Sequence, residues 1–470
     1  MGDFVGVWVG RFRVDRPPAY YPFCDREPRW GYIQFLRGRT QSGSEKKATD
    51  PIVPKDLQAR TPEGLVFGKR GAAFIRKAEH VDGHALIVGG VGSGKSSCIA
   101  IPSLLSWGER VFAIDIKGEL AAKTGKRRPA MKVFDPTNPQ AYGYNPFQIL
   151  AASKNLVQDI NEIVLALIPQ PVDIKDPFWI QQAQKLLTGA LLYFYKQGFD
   201  FIQAIRGVQA TPAAQLVEGI YNSGDTDAAL FVSQFVGMDG KTLAGIFAEL
   251  SSNIMVFATD TEIQAALSRS RTITPADLES GSDVYISIPE HKLEQWKKLL
   301  TLLVNQFLKH FERRPDQGAT PVLFLLDEFP RLGKVETVLN GLATLRSKKI
   351  TVALIIQSMA QLDMIYGKEA RQVIADCCNY KAILSATDGD TQEYLSRLVG
   401  TYDKGRSSTS ANYAPFTGIG AGTGTSSTTE EKRIIKPEEF ATLQKIVLLS
   451  PFGFMRVDKT PYYQTKEFKT

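Results

Sequence analysis

From about residue 82 onward, short, nearly continuous apolar runs recur along the chain, at 85–88, 111–114, 131–134, 283–288, 322–326, 351–356, 381–384 and 445–449. Runs of this length without polar alternation are the signature of strands buried on both faces, so they predict an α/β core built on a mostly parallel sheet. Between 134 and 283 no such run occurs. Apolar positions there recur at helical spacing, over 154–167, 178–195, 228–236 and 241–257. The pattern predicts a core in two pieces, 64–150 and 266–470, interrupted by an all-helical insertion at 151–265. Ahead of the core, 1–63 reads as a β-rich segment, with strands at 4–10 and 30–35 and a charged loop at 41–50. Within the second piece, 404–430 contains GIGAGTGTSSTT and has too little apolar content to order itself, which predicts a flexible Ser/Gly-rich loop.

Composition narrows the class. The chain has 470 residues, 43% hydrophobic and 22% charged, which excludes global disorder and leaves room for two to four domains at roughly 150 residues each. Its net charge of +7 permits an anionic partner without requiring one. The cysteines, Cys24, Cys98, Cys377 and Cys378, form neither a CxxC pair nor a secretory framework, as expected in a reducing compartment. No run approaches the ~18 to 20 consecutive apolar residues of a membrane span, and the amino terminus does not read as a signal peptide. The expectation is a soluble, cytoplasmic chain.

Chemistry concentrates at the ends of the predicted strands. Gly89-Gly90-Val91-Gly92-Ser93-Gly94-Lys95-Ser96 is a full G-x4-G-K-[ST] pattern, entered by the apolar run 85–88 and left by a helix-compatible run, 96–107. In such a loop, glycines let successive backbone N–H groups turn inward around a phosphate at a helix N-terminus, which predicts nucleotide contacts from Gly89 through Ser97. Lys95 is expected to reach the β- and γ-phosphates of ATP, and the Ser96 hydroxyl to join the Mg2+ shell. The run 322–326 ends in Asp327-Glu328, the arrangement in which the first carboxylate holds Mg2+ and the second polarises an attacking water. The run 351–356 ends in Gln357-Ser358, where the amide either senses the γ-phosphate or caps the next helix. Asp115, ending the run 111–114, lies where a ligand crevice forms or in an ordinary strand-to-helix turn. Arg346 ends a helical stretch near the nucleotide edge; it reads equally as an arginine acting across a subunit boundary and as a helix terminus complementing its dipole. Basic clusters at 123–128 and 346–349 are candidates for nucleic-acid phosphates or solvated faces. His80, His84, His291 and His310 have no metal-ligand spacing.

The ordered set HALIVGGVGSGKSS, VFAIDIKGEL, VFDPTNPQAYGYNPF, LFLLDEFPRLGKV and ALIIQSMAQL, closed by KPEEFATLQKIVLLSPFGF, resembles the type IV secretion coupling proteins, the conjugative DNA-transfer ATPases. The resemblance implies a RecA-like P-loop motor interrupted by an all-α domain, assembled as a homo-hexamer that hydrolyses ATP at subunit interfaces. It implies recruitment of relaxase-bound DNA or effector proteins for secretion-channel proteins at the inner face of the bacterial membrane. It places the phosphate-loop lysine on Lys95, the acidic pair on Asp327 and Glu328, the inter-subunit arginine on Arg346 and the sensor glutamine on Gln357. Family members usually carry amino-terminal transmembrane helices, which this sequence does not show, so membrane contact is expected through a partner or a missing anchor. Two other readings stand beside this one: a hexameric DNA translocase or helicase not tied to secretion, and an adaptor in which nucleotide binding only gates recruitment.

Overall fold

The computed structural model describes residues 53–78, 83–171, 175–316, 320–411 and 423–469, with the side chains of 404–411 and 423–428 excluded. The strands expected at 4–10 and 30–35, and the charged loop at 41–50, lie outside these residues.

Each apolar run of the core forms a strand, and six further segments form strands as well. In chain order the strands are β1 Gln58–Ala59, β2 Val66–Arg70, β3 Ala73–Arg76, β4 Ala85–Val88, β5 Arg110–Asp115, β6 Met131–Phe134, β7 Asp283–Ser287, β8 Val322–Leu326, β9 Ile350–Ile356, β10 Tyr380–Ile383, β11 Thr401–Ala411, β12 Thr423–Arg433, β13 Lys445–Ser450 and β14 Gly453–Asp458. All but β11 and β12 lie in one sheet, in the order β1-β3-β2-β14-β13-β10-β4-β9-β8-β5-β7-β6. From β10 to β6 neighbouring strands are parallel. From β10 outward through β13, β14, β2, β3 and β1 they are antiparallel.

Strand periodicity sorts the core residues onto two faces. Leu86, Val88, Ile114, Leu326, Leu354 and Ile356 pack with the helical insertion and the helix Leu293–Glu312 on one side. Ala85, Ile87, Ala113, Leu325, Ala353 and Ile355 pack on the other, against the turns that follow the phosphate loop. Because both faces are covered, the strands read as nearly continuous apolar runs.

Between β6 and β7 the chain is helical: Leu156–Leu167, Phe178–Lys196, Phe201–Ala210, Ala213–Tyr221, Thr226–Val232, Gly240–Thr259, Thr261–Leu267 and Pro275–Glu279. Side-chain caps set several starts. Asn155 accepts from Gln158 N, Asp200 and Gln203 form a capping box, and Asp225, Asp239 and Asp260 each accept two backbone N–H groups. Among the described residues Gly240–Thr259 is the one helix long and apolar enough to cross a membrane. Its apolar residues fall on a stripe, however, with Leu243, Ile246, Leu250, Ile254 and Phe257 buried at spacings of three and four, as in an amphipathic helix of a packed bundle. The insertion shares one continuous apolar core with the sheet face beneath it.

The entrance to the insertion is braced by polar contacts. The Arg269 guanidinium donates to the carbonyls of Asp135 at 3.1 Å, Pro136 at 3.2 Å and Tyr142 at 3.2 Å. Gly143 passes so close that a Cβ there would lie 2.5 Å from Arg269 Cβ and 2.6 Å from the Ala266 carbonyl oxygen. Tyr144 donates its hydroxyl to Gln306 Oε1, and Gln306 in turn donates to the Pro146 carbonyl at 3.0 Å. Much of the DPTNPQAYGYNPF stretch therefore acts as a joint that fixes where the chain leaves the sheet and returns.

A second brace anchors the amino ends of the strands. Arg128 Nη1 lies 2.9 Å from Asp283 Oδ2, with side-chain exposures of 6% and 2%, and Arg128 Nε donates to the Leu104 carbonyl at 2.7 Å. Asp283 also accepts from Val111 N at 2.9 Å. Truncating one partner of a buried pair strands the other charge. Arg128→Ala is therefore expected to lower unfolding free energy by ~3–5 kcal/mol in urea denaturation, and a loss below ~1 kcal/mol contradicts this account. The same contacts remove Arg128 from the basic cluster considered for nucleic acid. In the other cluster, Lys348 pairs with Asp316 at 2.7 Å.

The segment expected as a flexible loop at 404–430 is corrected in its flanks. β11 and β12 form an antiparallel two-stranded ribbon, with Thr401 opposite Arg433 and Ala411 opposite Thr423. Threonine suits extended backbone, and ladder pairing satisfies backbone N–H and C=O groups without an apolar core. Residues 412–422 lie outside the described residues.

Candidate functional site

The strand order explains how distant motifs meet. β9 lies between β4 and β8, so Val88 pairs with Ile356 and Leu326 pairs with Leu354. All three strands are parallel, so their carboxyl ends point the same way and the residues after them share one edge. The phosphate loop, Asp327-Glu328 and Gln357 converge there; Gly89 N donates to the Ile356 carbonyl at 3.1 Å.

The loop curls as the glycine pattern requires. Gly92 and Gly94 have φ of +73° and +98°, and a Cβ on Gly94 would sit 3.0 Å from Cys98 Sγ. Val91 at the tip is 88% exposed. Gly90 N donates to Ser385 Oγ at 3.0 Å, tying the loop to the end of β10. Ser93 Oγ is buried without a hydrogen-bond partner among the described residues. Lys95 opens a wide π-type turn, Lys95–Ala100, continued by the α-helix Ile101–Ser106. Ser96 and Ser97 lie half-buried in its first turn, and the Ser97 carbonyl accepts from Tyr462 N at 3.0 Å.

Lys95 folds back into the loop, donating to the carbonyls of Gly89 at 2.7 Å and Gly90 at 3.1 Å. Burial lowers its pKa, and the neighbouring Glu328 and Asp327 charges partly oppose that shift. The Asp327 carboxyl is pushed up to about 6, first by burial and next by the Glu328 charge, while the Glu328 N–H and Lys95 pull it back. Asp115 adds to the upward push. It follows Ile114, which pairs with Leu326, so it occupies the same edge one strand further on. Asp115 Oδ2 accepts from Ala121 N at 2.8 Å, which serves the turn into the helix Glu119–Thr124.

Glu328 has φ +48°, in the left-handed region that side chains other than glycine rarely adopt. Such strain, of order 1–3 kcal/mol, persists where surrounding structure enforces it, and it aims this carboxylate across the edge toward Gln357. Gln357 Nε2 donates to Glu328 Oε2 at 2.9 Å, and Gln357 N donates to Gln361 Oε1 at 3.1 Å. The side chain of Gln357 thus addresses the acidic pair. Ser358 makes no side-chain cap on the helix Met359–Tyr366.

Arg346 is the one candidate the fold does not bring to this edge of its own chain. The helix Glu336–Ser347 is the crossover from β8 to β9, and a parallel crossover must run back to the starting end of the next strand. Arg346 therefore sits exposed near the amino end of β9, and the seven residues Ile350–Ile356 separate it from Gln357 by roughly 20 Å of extended chain. The expectation that it lies near the nucleotide edge is corrected accordingly. Its end of the helix is fastened by buried His84, which accepts from Val352 N through Nδ1 at 3.0 Å and meets the Leu342 carbonyl through Nε2 at 2.6 Å. Burial lowers the imidazole pKa to about 4, so it stays neutral.

Beside the loop opens a cavity of about 680 Å3, walled by Gly90–Ser93 and Gln357 on one side and by Ser385, Thr387, Asp388, 441–444 and Lys459 on the other. In the second wall 441–444 falls within the closing KPEEFATLQKIVLLSPFGF stretch, to which no site role was given, whereas Ser385, Thr387, Asp388 and Lys459 belong to no motif. This wall comes from chain about 290 to 370 residues beyond the loop, brought alongside by β10 and β13.

A family model described as type IV secretory system conjugative DNA transfer matches residues 40–470. The protein VirD4 of Agrobacterium fabrum is 26% identical over 428 residues, covering 86% of this chain and 63% of that protein. A probable conjugal transfer protein TraG of Sinorhizobium fredii is 23% identical, covering 75% of this chain and 57% of that one. This chain thus spans about three fifths of the length of these relatives. Among solved structures, the plasmid coupling protein TrwB in complex with the non-hydrolysable ATP analogue ADPNP superposes with a TM-score of 0.70 at 17% identity, covering 90% of this chain and 96% of that one. TrwB in complex with ADP and Mg2+ gives 0.67, also at 17% identity, covering 87% and 90%. At that identity the likeness establishes the fold, a TrwB-like α/β architecture.

Proposed function

This chain belongs to the type IV secretory system conjugative DNA transfer family, and from that we propose that it is an ATP-hydrolysing coupling protein, which recruits relaxase-bound DNA or protein effectors and drives their transfer to a secretion channel. The observation that carries the enzymatic half is the meeting of Lys95, Asp327, Glu328 and Gln357 on one sheet edge, with Glu328 held by Gln357 at 2.9 Å.

Each side chain then has a defined task. The N–H groups of Gly89 through Ser97 cradle the phosphates at a helix start, and Lys95 turns from its own loop carbonyls to the β- and γ-phosphates. The Ser96 hydroxyl and the Asp327 carboxylate hold Mg2+, which supplies charge neutralisation on the phosphate oxygens when bound. The donor set fits that ion. Ser96 and Asp327 both offer hard oxygen donors, and Mg2+ characteristically takes one or two protein oxygens with substrate phosphates and water completing its shell. Glu328 takes a proton from the attacking water, and Gln357, bonded to it, reports the γ-phosphate to that carboxylate. Arg346 lies too far from its own Lys95 to contribute there. It completes the site of the neighbouring subunit in a homo-hexamer, where such an arginine adds ~10^3 to 10^5 in rate.

The helical insertion receives the cargo, and the assembly works at the inner face of the membrane, held by a partner or an amino-terminal anchor. DNA cargo is tested by fluorescence anisotropy and phosphate release with labelled single- and double-stranded DNA. The expected result is that ATP strengthens DNA binding and DNA raises turnover several-fold. If DNA changes neither, DNA cargo is wrong and a nucleotide-gated adaptor for protein substrates explains the site better.

A further inference from the structure

We infer that His84, the residue just ahead of β4, is a positioning residue for Arg346: its imidazole fixes the last turn of the helix Glu336–Ser347, and with it the point from which the arginine reaches a neighbouring chain. The inference rests on the role proposed above for Arg346.

Among the described residues the exposed Arg346 side chain makes no hydrogen bond or ion pair, so its guanidinium goes where the helix backbone takes it. Two groups hold that end of the helix. On the solvent side, Ser347 Oγ donates to Asp316 Oδ1 at 2.7 Å, and Lys348 Nζ lies 2.7 Å from the same oxygen. The Asp316 side chain is 62% exposed, and ion pairs in such settings contribute little. On the sheet side, His84 is fully buried and bonded through both ring nitrogens. Nδ1 accepts from Val352 N at 3.0 Å, so in the neutral ring the proton sits on Nε2, which donates to the Leu342 carbonyl at 2.6 Å. That carbonyl is also the acceptor of the helical bond from Arg346 N, four residues on. One oxygen is therefore shared by the imidazole and by the arginine's own backbone.

The other end of the link is the chain's own nucleotide strand. The β4–β9 ladder begins with Ala85 opposite Ala353, and Val352 lies one residue ahead of it, where the ring takes the place of a strand partner. The His84 carbonyl accepts from Tyr380 N at 3.2 Å, which ties the residue to β10 as well. From His84 the chain runs through β4 directly to Gly89 of the phosphate loop. An apolar side chain could occupy the same buried space at no desolvation cost, whereas an imidazole needs both nitrogens paired. What this pairing adds over plain packing is direction, and one of its two bonds is aimed at the turn that carries Arg346. Rates are sensitive to such placement, since an error of about 1 Å costs up to ~10^2-fold.

Two substitutions separate the bonds. In His84→Asn the amide oxygen stands near the Nδ1 position and still accepts from Val352 N, but the side chain stops short of Leu342. His84→Gln carries its amide nitrogen out to the Nε2 position and restores the donor to Leu342. Both are made in the full chain with and without Arg346→Ala, so that either one, if folded by thermal unfolding, carries the comparison. Hydrolysis of labelled ATP with protein in excess, followed over hours, reads rates ~10^5-fold below native, the full span expected for the arginine. His84→Asn is expected to lower turnover ~10- to 100-fold with ADPNP affinity within about threefold of native, and His84→Gln to recover most of that loss. Without Arg346 either substitution is expected to change the residual turnover by less than about threefold, since no arginine is left to place. Equal factors with and without Arg346, turnover that follows melting temperature instead of the Leu342 contact, or native turnover in a folded His84→Asn each overturn the inference and leave the role of Arg346 standing. If Arg346→Ala alone turns over as the native chain does, that role itself fails and the inference falls with it.

Discussion

Lys95→Ala is expected to weaken binding of a non-hydrolysable ATP analogue by roughly 10^2- to 10^4-fold and to abolish measurable turnover, with the fold intact. The magnitude follows from geometry. Lys95 Nζ lies within hydrogen-bonding distance of the Gly89 and Gly90 carbonyls, inside the curl of the loop, and only 8% of the residue is exposed. Two charge-assisted bonds transferred to phosphate oxygens contribute ~1.5–3 kcal/mol each. The intact fold follows from the same burial. Desolvation lowers the lysine pKa, so the native state bears a cost for holding this ammonium, and removing it is not expected to reduce stability. Calorimetric titration together with a thermal melt checks both halves. A variant that unfolds, or one that retains affinity within threefold, contradicts the assignment.

Glu328→Gln carries the second large effect, on turnover instead of binding. The carboxylate stands on a left-handed residue at the end of β8 and accepts from Gln357 Nε2 at 2.9 Å. Glutamine has the same shape and length but no basic oxygen, so it keeps the loop geometry while removing the charge that pushes the Asp327 carboxyl upward. General-base catalysis by a positioned side chain is worth ~10^2- to 10^4-fold. Turnover is expected to fall by that factor while analogue affinity stays within about threefold. The contrast with Lys95→Ala is the informative part, because a site that only binds nucleotide and gates recruitment does not require a base. Full turnover in Glu328→Gln sinks the catalytic role.

The sequence made some of this legible and hid the rest for identifiable reasons. Nearly continuous apolar runs marked each strand of the parallel half, because burial on both faces removes polar alternation. The phosphate loop and Asp327-Glu328 were visible because each is local, a few residues at one strand end. The insertion of β9 between β4 and β8 was not, since strand order is a property of long-range pairing. That order is nevertheless what places Gln357 against Glu328. Short strands such as β2, β3 and β14 gave weak patterns, so of the antiparallel half only β13, the run 445–449, was legible. So were the helices Phe201–Ala210 and Ala213–Tyr221, although Asp200 with Gln203 is a readable capping box. Arg346 was misplaced because helical spacing does not reveal which way a crossover runs. Ser385 and Asp388 carried no motif, and only the pairing of β10 with β4 brings them to the loop.

The proposed role of Arg346 connects the site to assembly, because an arginine about one strand length from the nucleotide edge of its own chain reaches ATP only if that ATP is bound to a neighbouring chain. The most direct measurement is steady-state phosphate release per chain as total protein rises, with DNA present, and with Glu328→Gln mixed into the native chain at fixed total concentration. A cyclic motor predicts that turnover per chain increases with concentration and falls more steeply than the fraction of native chain in the mixture. Turnover per chain that is constant with concentration and falls only in proportion to the native fraction would contradict it.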